Sequence, residues 1–370
     1  MRFTTERNVL VKALAHVTRV VERRNTYPIL ANVLLTAEAD GRLLLRATDL
    51  DIEITEPVAA IVGEPGKTTV PAGMLADIVR KFPDGSEVSF DVVDGGASAT
   101  VKAGRSRFTL STLPPDQYPD LKSDTFTHTF SLPAADLARL FAKVSFAIST
   151  EETRYYLNGV YFHAIGEMLR GVATDGHRMA RYDLPLPDGA EGMPGVIVPR
   201  KTVAEVAKLL GDATGDITIE LTENKIRLTI GGLVLLSKLI EGTFPDYQRV
   251  TPALSNTVAT IDAGDLKKAI DRVSVVSSDR GGKAVKFGFS PGALLLEVSN
   301  PDHGTSQEDM AADWGGEKFD IGYNARYCLD VINALDGKQI KMSMTDAGAP
   351  TRIFSDEDPN MLAVLMPMRV

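Results

Sequence analysis

The chain predicts an α+β fold in three copies, and three sequence marks that recur in one order carry that prediction. The first mark reads FTTERNVLVKALAHVTRVV at 3–21, FSLPAADLARLFAKVSFAIS at 130–149 and ATIDAGDLKKAIDRVSVVSS at 259–278, at spacings of 127 and 129 residues. The second reads TTVPAGMLADIVRKF at 68–82, VIVPRKTVAEVAKLL at 196–210 and FDIGYNARYCLDVINAL at 319–335. The third closes each copy: SRFTLSTLPPDQYPDL at 106–121, LVLLSKLIEGTFPDYQRV at 233–250 and RIFSDEDPNMLAVLMPMRV at 352–370. A period this long exceeds that of a solenoid, so each copy buries a core of its own.

Each copy opens on an amphipathic helix. In 6–21, Val9, Leu10, Ala13, Leu14, Val17, Val20 and Val21 form one stripe at helical spacing. Strand-like runs follow, NVLLTA, RLLLRAT and IEITEPVAAIV in the first copy, broken at Asp40-Gly41 and Asp84-Gly85. A second helix comes next, with Pro71 and Pro199 suited to its first turn. Further strands end the copy. Polar stretches KSDTFTH and TPALSNT put boundaries near 125 and 254, giving domains 1–126, 127–254 and 255–370. The six helices are predicted at 6–21, 71–81, 133–147, 199–210, 263–276 and 324–335, packed on antiparallel strands.

The 370 residues are 44% hydrophobic and 24% charged, as in an ordinary soluble protein. No apolar run is long enough for a membrane helix, and MRFTTERNV lacks a signal-peptide core, so neither a membrane nor secretion is expected. The single Cys328 excludes an intrachain disulfide and reads as core packing on a helix. Net charge is −9, which argues against nucleic acid at first sight. Yet the six helices carry 14 Lys and Arg against 7 Asp and Glu, so the acidity lies in strands and loops. Basic helices suit phosphate backbones. No base-reading module is visible, so any DNA contact is non-specific.

Three stretches resemble chemistry. GEPGKTT at 63–69 lacks the first glycine of a phosphate loop, Ile61 standing there, and reads as a strand-to-strand loop. ATDGHRMARY at 173–182 gathers Asp175, His177 and Arg178. It reads as a turn placing His177, Arg178 and Met179 at an exposed rim, as a binding rim, or as a base with its orienter; no nucleophile elbow accompanies it. The five His never fall at metal-ligand spacing. The apolar end AVLMPMRV is either a buried last strand or the wall of an apolar pocket, for which methionine is suited.

Together RYYLNG (154–159), ATDGHRMA (173–180), VIVPRK (196–201), FPDYQRV (244–250) and VLMPMRV (364–370) resemble the bacterial DNA sliding clamp family, the β subunit of DNA polymerase III. The resemblance covers the whole chain. It implies three domains of the DNA-clamp fold and a head-to-tail homodimer closing into a six-domain ring, with helices lining a hole around duplex DNA. The implied function is a polymerase processivity factor, not an enzyme, with no cofactor and no metal. The implied partners are double-stranded DNA, the polymerase III alpha subunit, the delta subunit of the clamp loader, and other polymerases and repair factors bearing short clamp-binding peptides. The implied location is the bacterial cytoplasm, at the nucleoid.

By the same resemblance, a peptide-binding cleft has walls from Leu157, Thr174, Gly176, His177, Arg178, Met179, Pro245, Val250, Val364 and Met366, with Tyr156, Pro367 and Met368 as an adjoining groove. The peptide supplies a glutamine and two or three large apolar side chains. Met179 replaces a leucine, a volume-conserving change. DNA contact is implied for Arg24, Tyr155 and Tyr156. It is weakened at Gly73 and Glu151, where the family can carry a basic residue and a glutamine. Arg105, Arg107, Phe108 and Leu110 mark one dimer edge, meeting Val275 and Val276 of the partner subunit. Two other readings remain: an enzyme using Asp175 and His177, and a peptide scaffold with no DNA role.

Overall fold

A computed structural model describes residues 1–22, 27–121, 125–211, 213–277 and 284–370. The chain divides into two compact units, one of 1–135 with 204–239 and one of 136–203 with 240–370. The core of each is antiparallel sheet. In the first unit, Asn32–Ala37, Arg42–Thr48, Ile52–Ala59 and Gly66–Pro71 join His128–Pro133, Asp216–Leu221, Lys225–Ile230 and Leu233–Lys238 in one eight-stranded sheet. The seam runs between Ile52–Ala59 and Leu233–Lys238, with Glu53 opposite Leu236. In the second unit the same plan recurs: Arg178–Pro185 pairs with Met361–Leu365, Met179 opposite Val364. Each unit also holds a smaller sheet, five-stranded with Ser106–Ser111 at one edge, or four-stranded with Gly304–Ala311 at one edge.

The helices are α1 (Arg7–Val17), α2 (Ala72–Lys81), α3 (Ala134–Val144), α4 (Arg200–Leu210), α5 (Ala263–Val273) and α6 (Ala325–Ala334). In the first unit α1 packs on α2 and on Ile52–Ala59; in the second, α5 packs on α6 and on Gly304–Ala311. Two helices start on side-chain caps. Asp262 accepts the Asp265 N–H at 2.9 Å, and Asn324 accepts those of Arg326 and Tyr327 at 3.0 and 3.3 Å. α3 lies over a strand at Gly171, where a Cβ would come 2.5 Å from Leu140.

Several expectations need correction. α1 ends at Val17, where Thr18 bonds back to the Leu14 carbonyl at 2.6 Å, so Val20 is buried from a turn rather than from the helix. Val9 is exposed, because α1 buries the narrower stripe Leu10, Ala13, Leu14 and Val17. The predicted helices 133–147 and 263–276 end earlier, each in a 3-10 turn, Ser145–Ala147 and Ser274–Val276. Pro71 and Pro199 are the last residues of strands, one position before the helix. GEPGKTT is not a loop. Ile61–Glu64 and Gly66–Pro71 are strands in two different sheets, and the chain crosses between them at Pro65.

Basic helix residues are widely paired within the chain. Arg7 meets Asp84, Arg80 meets Asp77, and Arg272 meets Glu308. On α3, Arg139 bonds Asp336, and the buried Lys143 bonds Asp358 while donating to the Ala334 carbonyl at 2.7 Å. These pairs take up part of the positive charge counted in the sequence. No helix of the described residues is long and apolar enough to cross a membrane.

Candidate functional site

The ATDGHR segment is a tight turn between strands Met168–Thr174 and Arg178–Pro185. Asp175 Oδ1 accepts the backbone N–H of His177 and of Arg178 at 2.9 and 3.0 Å. Thr174 donates to the Arg178 carbonyl at 2.7 Å. Gly176 takes φ 87°, which favours glycine, and a Cβ there would stand 2.6 Å from Arg154 Nη1, so any side chain must shift that guanidinium. Only His177 is at an exposed rim. Arg178 and Met179 lie on opposite faces of their strand and are both buried, Arg178 against Phe146 and Tyr327 and Met179 in an apolar cluster. Arg178 pairs with Asp175 at 3.0 Å and Asp330 at 2.5 Å, and its guanidinium lies 4.3 Å from the Tyr327 ring centroid. His177 stacks on the same Tyr327, centroids 6.2 Å apart. The Asp175 carboxylate is thus engaged by the turn and by Arg178, which removes it as an orienter of His177.

One apolar cluster lies behind this turn: Leu157, Val172, Met179, Ile197, Phe244, Tyr247, Leu362 and Val364, with Tyr156, Tyr161 and Ile240 packed against it. The cluster brings together Tyr156, Leu157, Met179 and Val364 from three distant stretches of chain. Met366 joins through its N–H, which donates to the His177 carbonyl at 2.9 Å. Its side chain is exposed, as are Val250 and Pro245, which flank the buried Phe244 and Tyr247. Pro367 and Met368 are half-buried, and the Met368 N–H donates to the Gly322 carbonyl at 2.8 Å. The apolar end is thus a buried strand to Leu365, then a tail whose Met366 is exposed and whose Pro367 and Met368 are half-buried.

Residues missed in the sequence complete the surroundings. His163, Tyr161 and Phe244 stack in series, at 4.3 and 4.9 Å between centroids. His163 Nε2 and Tyr247 Oη are 3.0 Å apart, and Arg170 donates to the same hydroxyl at 3.1 Å while gripping Asp183 at 2.6 and 2.8 Å. Burial, reinforced by the Arg170 charge, pushes the His163 pKa down to about 4, so the ring is neutral near pH 7. Phe244 and Tyr247 flank Pro245 in FPDYQRV and alone had a motif to betray them. Tyr327 and Asp330, on α6, had none.

The remaining expected residues are not members of the cluster. Arg24 lies outside the described residues. Gly73 is exposed in the first turn of α2, with open space where a side chain would project. Glu151 is exposed and held by Arg154 at 2.7–2.8 Å; that hydrogen bond keeps its carboxyl below the usual range. Tyr155 is exposed and meets Tyr156 edge-on at 5.8 Å. Arg105, Arg107 and Phe108 are exposed at the Ser106–Ser111 edge. Leu110 is buried, a correction: it turns into the core of its own unit, leaving Phe108 as the apolar group on offer. Val275 is exposed and Val276 half-buried beside Gly304–Ala311, where Ser306 donates to the Val273 carbonyl at 2.7 Å. Cys328 is buried, and burial pushes its thiol pKa up. Among the described residues no cluster of His, Cys, Asp or Glu could hold a metal.

Models of the DNA polymerase III beta subunit match the chain in order: the N-terminal domain at 1–122, the central domain at 131–246 and the C-terminal domain at 248–369. The chain belongs to the DNA polymerase III beta subunit family. The beta sliding clamp of Caulobacter vibrioides is 46% identical, and that of Escherichia coli 38%, each with all of both chains covered. A sliding clamp from Bartonella birtlesii, solved bound to griselimycin, matches all of both chains with TM-score 0.96 and 46% identity. The Pseudomonas aeruginosa clamp bound to griselimycin matches over the same extent with TM-score 0.95 and 36% identity. Family membership accounts for the α+β architecture and for the three sequence copies.

Proposed function

We propose that this chain is the processivity factor of a replicative DNA polymerase. It acts as a sliding clamp that encircles duplex DNA and tethers its clients through the apolar groove around Leu157, Met179, Val364 and Met366. The observation that carries the reading is the in-order match of three beta-subunit domains across the chain. The boundaries 1–126, 127–254 and 255–370 go with it.

The sheet plan supports ring closure. Each repeat contributes two blocks of strands, and each seam joins a block of one repeat to a block of the next. Two blocks take part in no seam among the described residues, and each ends on the counterpart of a seam strand: Ser106–Ser111, flanked by Arg105 and carrying Arg107, and Gly304–Ala311, carrying Glu308 and Asp309. Joining these edges between two identical chains repeats the seam already made twice within each chain. Head-to-tail contacts of this kind close when the rotation fits. Phe108 would then approach Val275 and Val276 of the partner subunit.

A closed ring holds DNA by topology, so weak phosphate contacts suffice and sliding remains possible. A tethered polymerase stays at high effective concentration beside its primer end. The alpha subunit of polymerase III, the loader's delta subunit and repair factors are the proposed clients, each through a short peptide with large apolar anchors. The site performs no covalent step; His177 and Asp175 serve the turn and the groove wall. The setting is the bacterial cytoplasm, at the nucleoid.

The test is retention on circular primed DNA after loading with the cognate loader and ATP. Release on cutting the circle supports the ring. Equal retention on both forms means surface binding and overturns it.

A further inference from the structure

Each repeat leaves its last strand by the same step, crossing to the strand that precedes its second helix. Ile240 donates its N–H to the Ile197 carbonyl at 2.9 Å, Met368 donates to that of Gly322 at 2.8 Å, and Leu113 bridges Thr69. Thr69, Ile197 and Gly322 stand at the same distance before helices that open at Ala72, Arg200 and Ala325. Beyond this crossing, the first two repeats lay an aromatic ring, followed by proline and aspartate, onto their own sheet. The segments are Tyr118-Pro119-Asp120 and Phe244-Pro245-Asp246, and both rings are buried. Tyr118 donates to the Asn32 carbonyl at 3.1 Å, with the Arg46 guanidinium 5.6 Å from its ring centroid. Phe244 stacks on Tyr161 in a cluster that includes Val172.

Strand register finds the same seat in the third repeat. Asn32 stands opposite Pro71, Gly159 opposite Pro199 and Ala284 opposite Asn324, the residue before the helix each time. On the neighbouring strand, Arg46 faces Leu34, Val172 faces Tyr161 and Glu297 faces Lys286. The turn beyond is shared as well. The side chains of Asp49, Asp175 and Asn300 accept the N–H of Asp51, His177 and Asp302, each at 2.9 Å. Ala284, Lys286 and Glu297 are therefore counterparts of the residues that seat Tyr118 and Phe244.

At this third seat the described residues leave a cavity of about 530 Å³, whose lining includes Ala284, Lys286, Glu297, Ser299, Arg369 and Val370. Lys286 is held between Glu297 and Asp320 at 3.1 and 3.0 Å, so its charge is neutralised within the wall. Its methylene stem remains as apolar surface for a ring. Arg369 is exposed and takes part in no ion pair among the described residues. It gives the third seat a cation such as the first has in Arg46, which lies 3.3 Å from Asp120.

We infer that this cavity binds a partner protein through a segment reading aromatic–proline–aspartate, its ring against Lys286 and its carboxylate at Arg369. The molecule shows the fit itself, because two of its three repeats fill the same seat with that sequence. The cavity shares no lining residue with the groove around Met179, so the inference stands apart from the groove reading.

The probe is a synthetic peptide of the chain's own residues 115–121, Pro-Asp-Gln-Tyr-Pro-Asp-Leu, with photoreactive benzoylphenylalanine in place of the tyrosine. Irradiated with the full-length protein, it should label residues 284–302 or Arg369 and Val370, as mapped by mass spectrometry. The unmodified peptide should compete, whereas a groove peptide with one glutamine and three large apolar side chains should not. Ser299 is exposed, so Ser299→Trp obstructs the cavity without disturbing the core and should cut labelling several-fold. Arg369→Glu should also weaken it, and a peptide with lysine for its second aspartate should label that variant better than wild type. Labelling confined to the groove, labelling undiminished by Ser299→Trp, or no labelling at all overturns the inference.

Discussion

Tyr161 and Phe244 stack with centroids 4.9 Å apart and planes within 6° of parallel. Tyr161 comes from a strand of the central repeat and Phe244 from the segment that leads out of it, so this stack fixes that segment against the sheet. Phe244→Ala removes the buried partner and should destabilise the protein by about 3–5 kcal/mol, read by chemical denaturation. A loss under about 1 kcal/mol would mean that the segment is held by other contacts.

Met366 and Met368 follow the last buried strand. Met366→Ala and Met368→Ala each shed flexible apolar surface that a peptide would cover, so each should weaken binding by about 1–2 kcal/mol, close to tenfold. Calorimetry with a client peptide measures this. Sedimentation should show the oligomeric state unchanged; unaltered affinity in both variants would remove the tail from the groove.

Gly176→Ala is a backbone test. The new Cβ must displace the Arg154 guanidinium, which donates to the Asp175 carbonyl at 3.0 Å, and must accept left-handed φ at about 1–2 kcal/mol. Both stability and peptide affinity should fall, the latter roughly tenfold. Full affinity would show that the turn tolerates the strain, as the Thr48–Ile52 turn does with Leu50 at φ 80°.

His163 makes stability depend on acidity. Its folded pKa of about 4 lies below the ordinary value of 6.5, so between these the unfolded chain binds the extra proton. Stability is therefore greatest above pH 6.5 and falls as the pH drops towards 4, by about 3 kcal/mol. Glu53 has the opposite sign: burial raises its pKa, so its penalty is present when it is ionised and eases on protonation. His163→Gln should flatten the acid limb of a denaturation series; an unchanged limb would place the effect elsewhere.

Lys143 is buried against Asp358, itself buried. Lys143→Met strands that carboxylate and should cost about 3–5 kcal/mol, most of it recovered by adding Asp358→Leu. No recovery would mean that the lysine acts through its bond to the Ala334 carbonyl instead.

Much of this was legible in the chain. The helices and the tight turn at Asp175 follow from local pattern: apolar residues at helical spacing, and Asp and Gly where the backbone needs them. The gathering of Leu157, Met179 and Val364 into one apolar cluster followed only through family resemblance. What stayed hidden is non-local. Nothing near Ile52–Ala59 announces that its neighbour is Leu233–Lys238, because strand pairing leaves no mark on either partner alone. The burial of Arg178 and Met179 has the same origin, since Tyr327 and Asp330 beside the one and Phe244 and Val364 in the cluster of the other lie far along the chain. His163 looked like any lone histidine until the ring stack and the Arg170 bond were seen around it.

The seams also set a timetable for synthesis. The strand Ile52–Ala59 leaves the ribosome long before Leu233–Lys238 exists, and at about 5–20 residues per second it waits roughly 10–35 s for its neighbour. Arg178–Pro185 waits about as long for Met361–Leu365. Through each interval a nascent strand offers unpaired amides to any other chain. Two polypeptides growing side by side on one message could therefore exchange these strands, and slowing translation between residues 60 and 230 would lengthen the hazard.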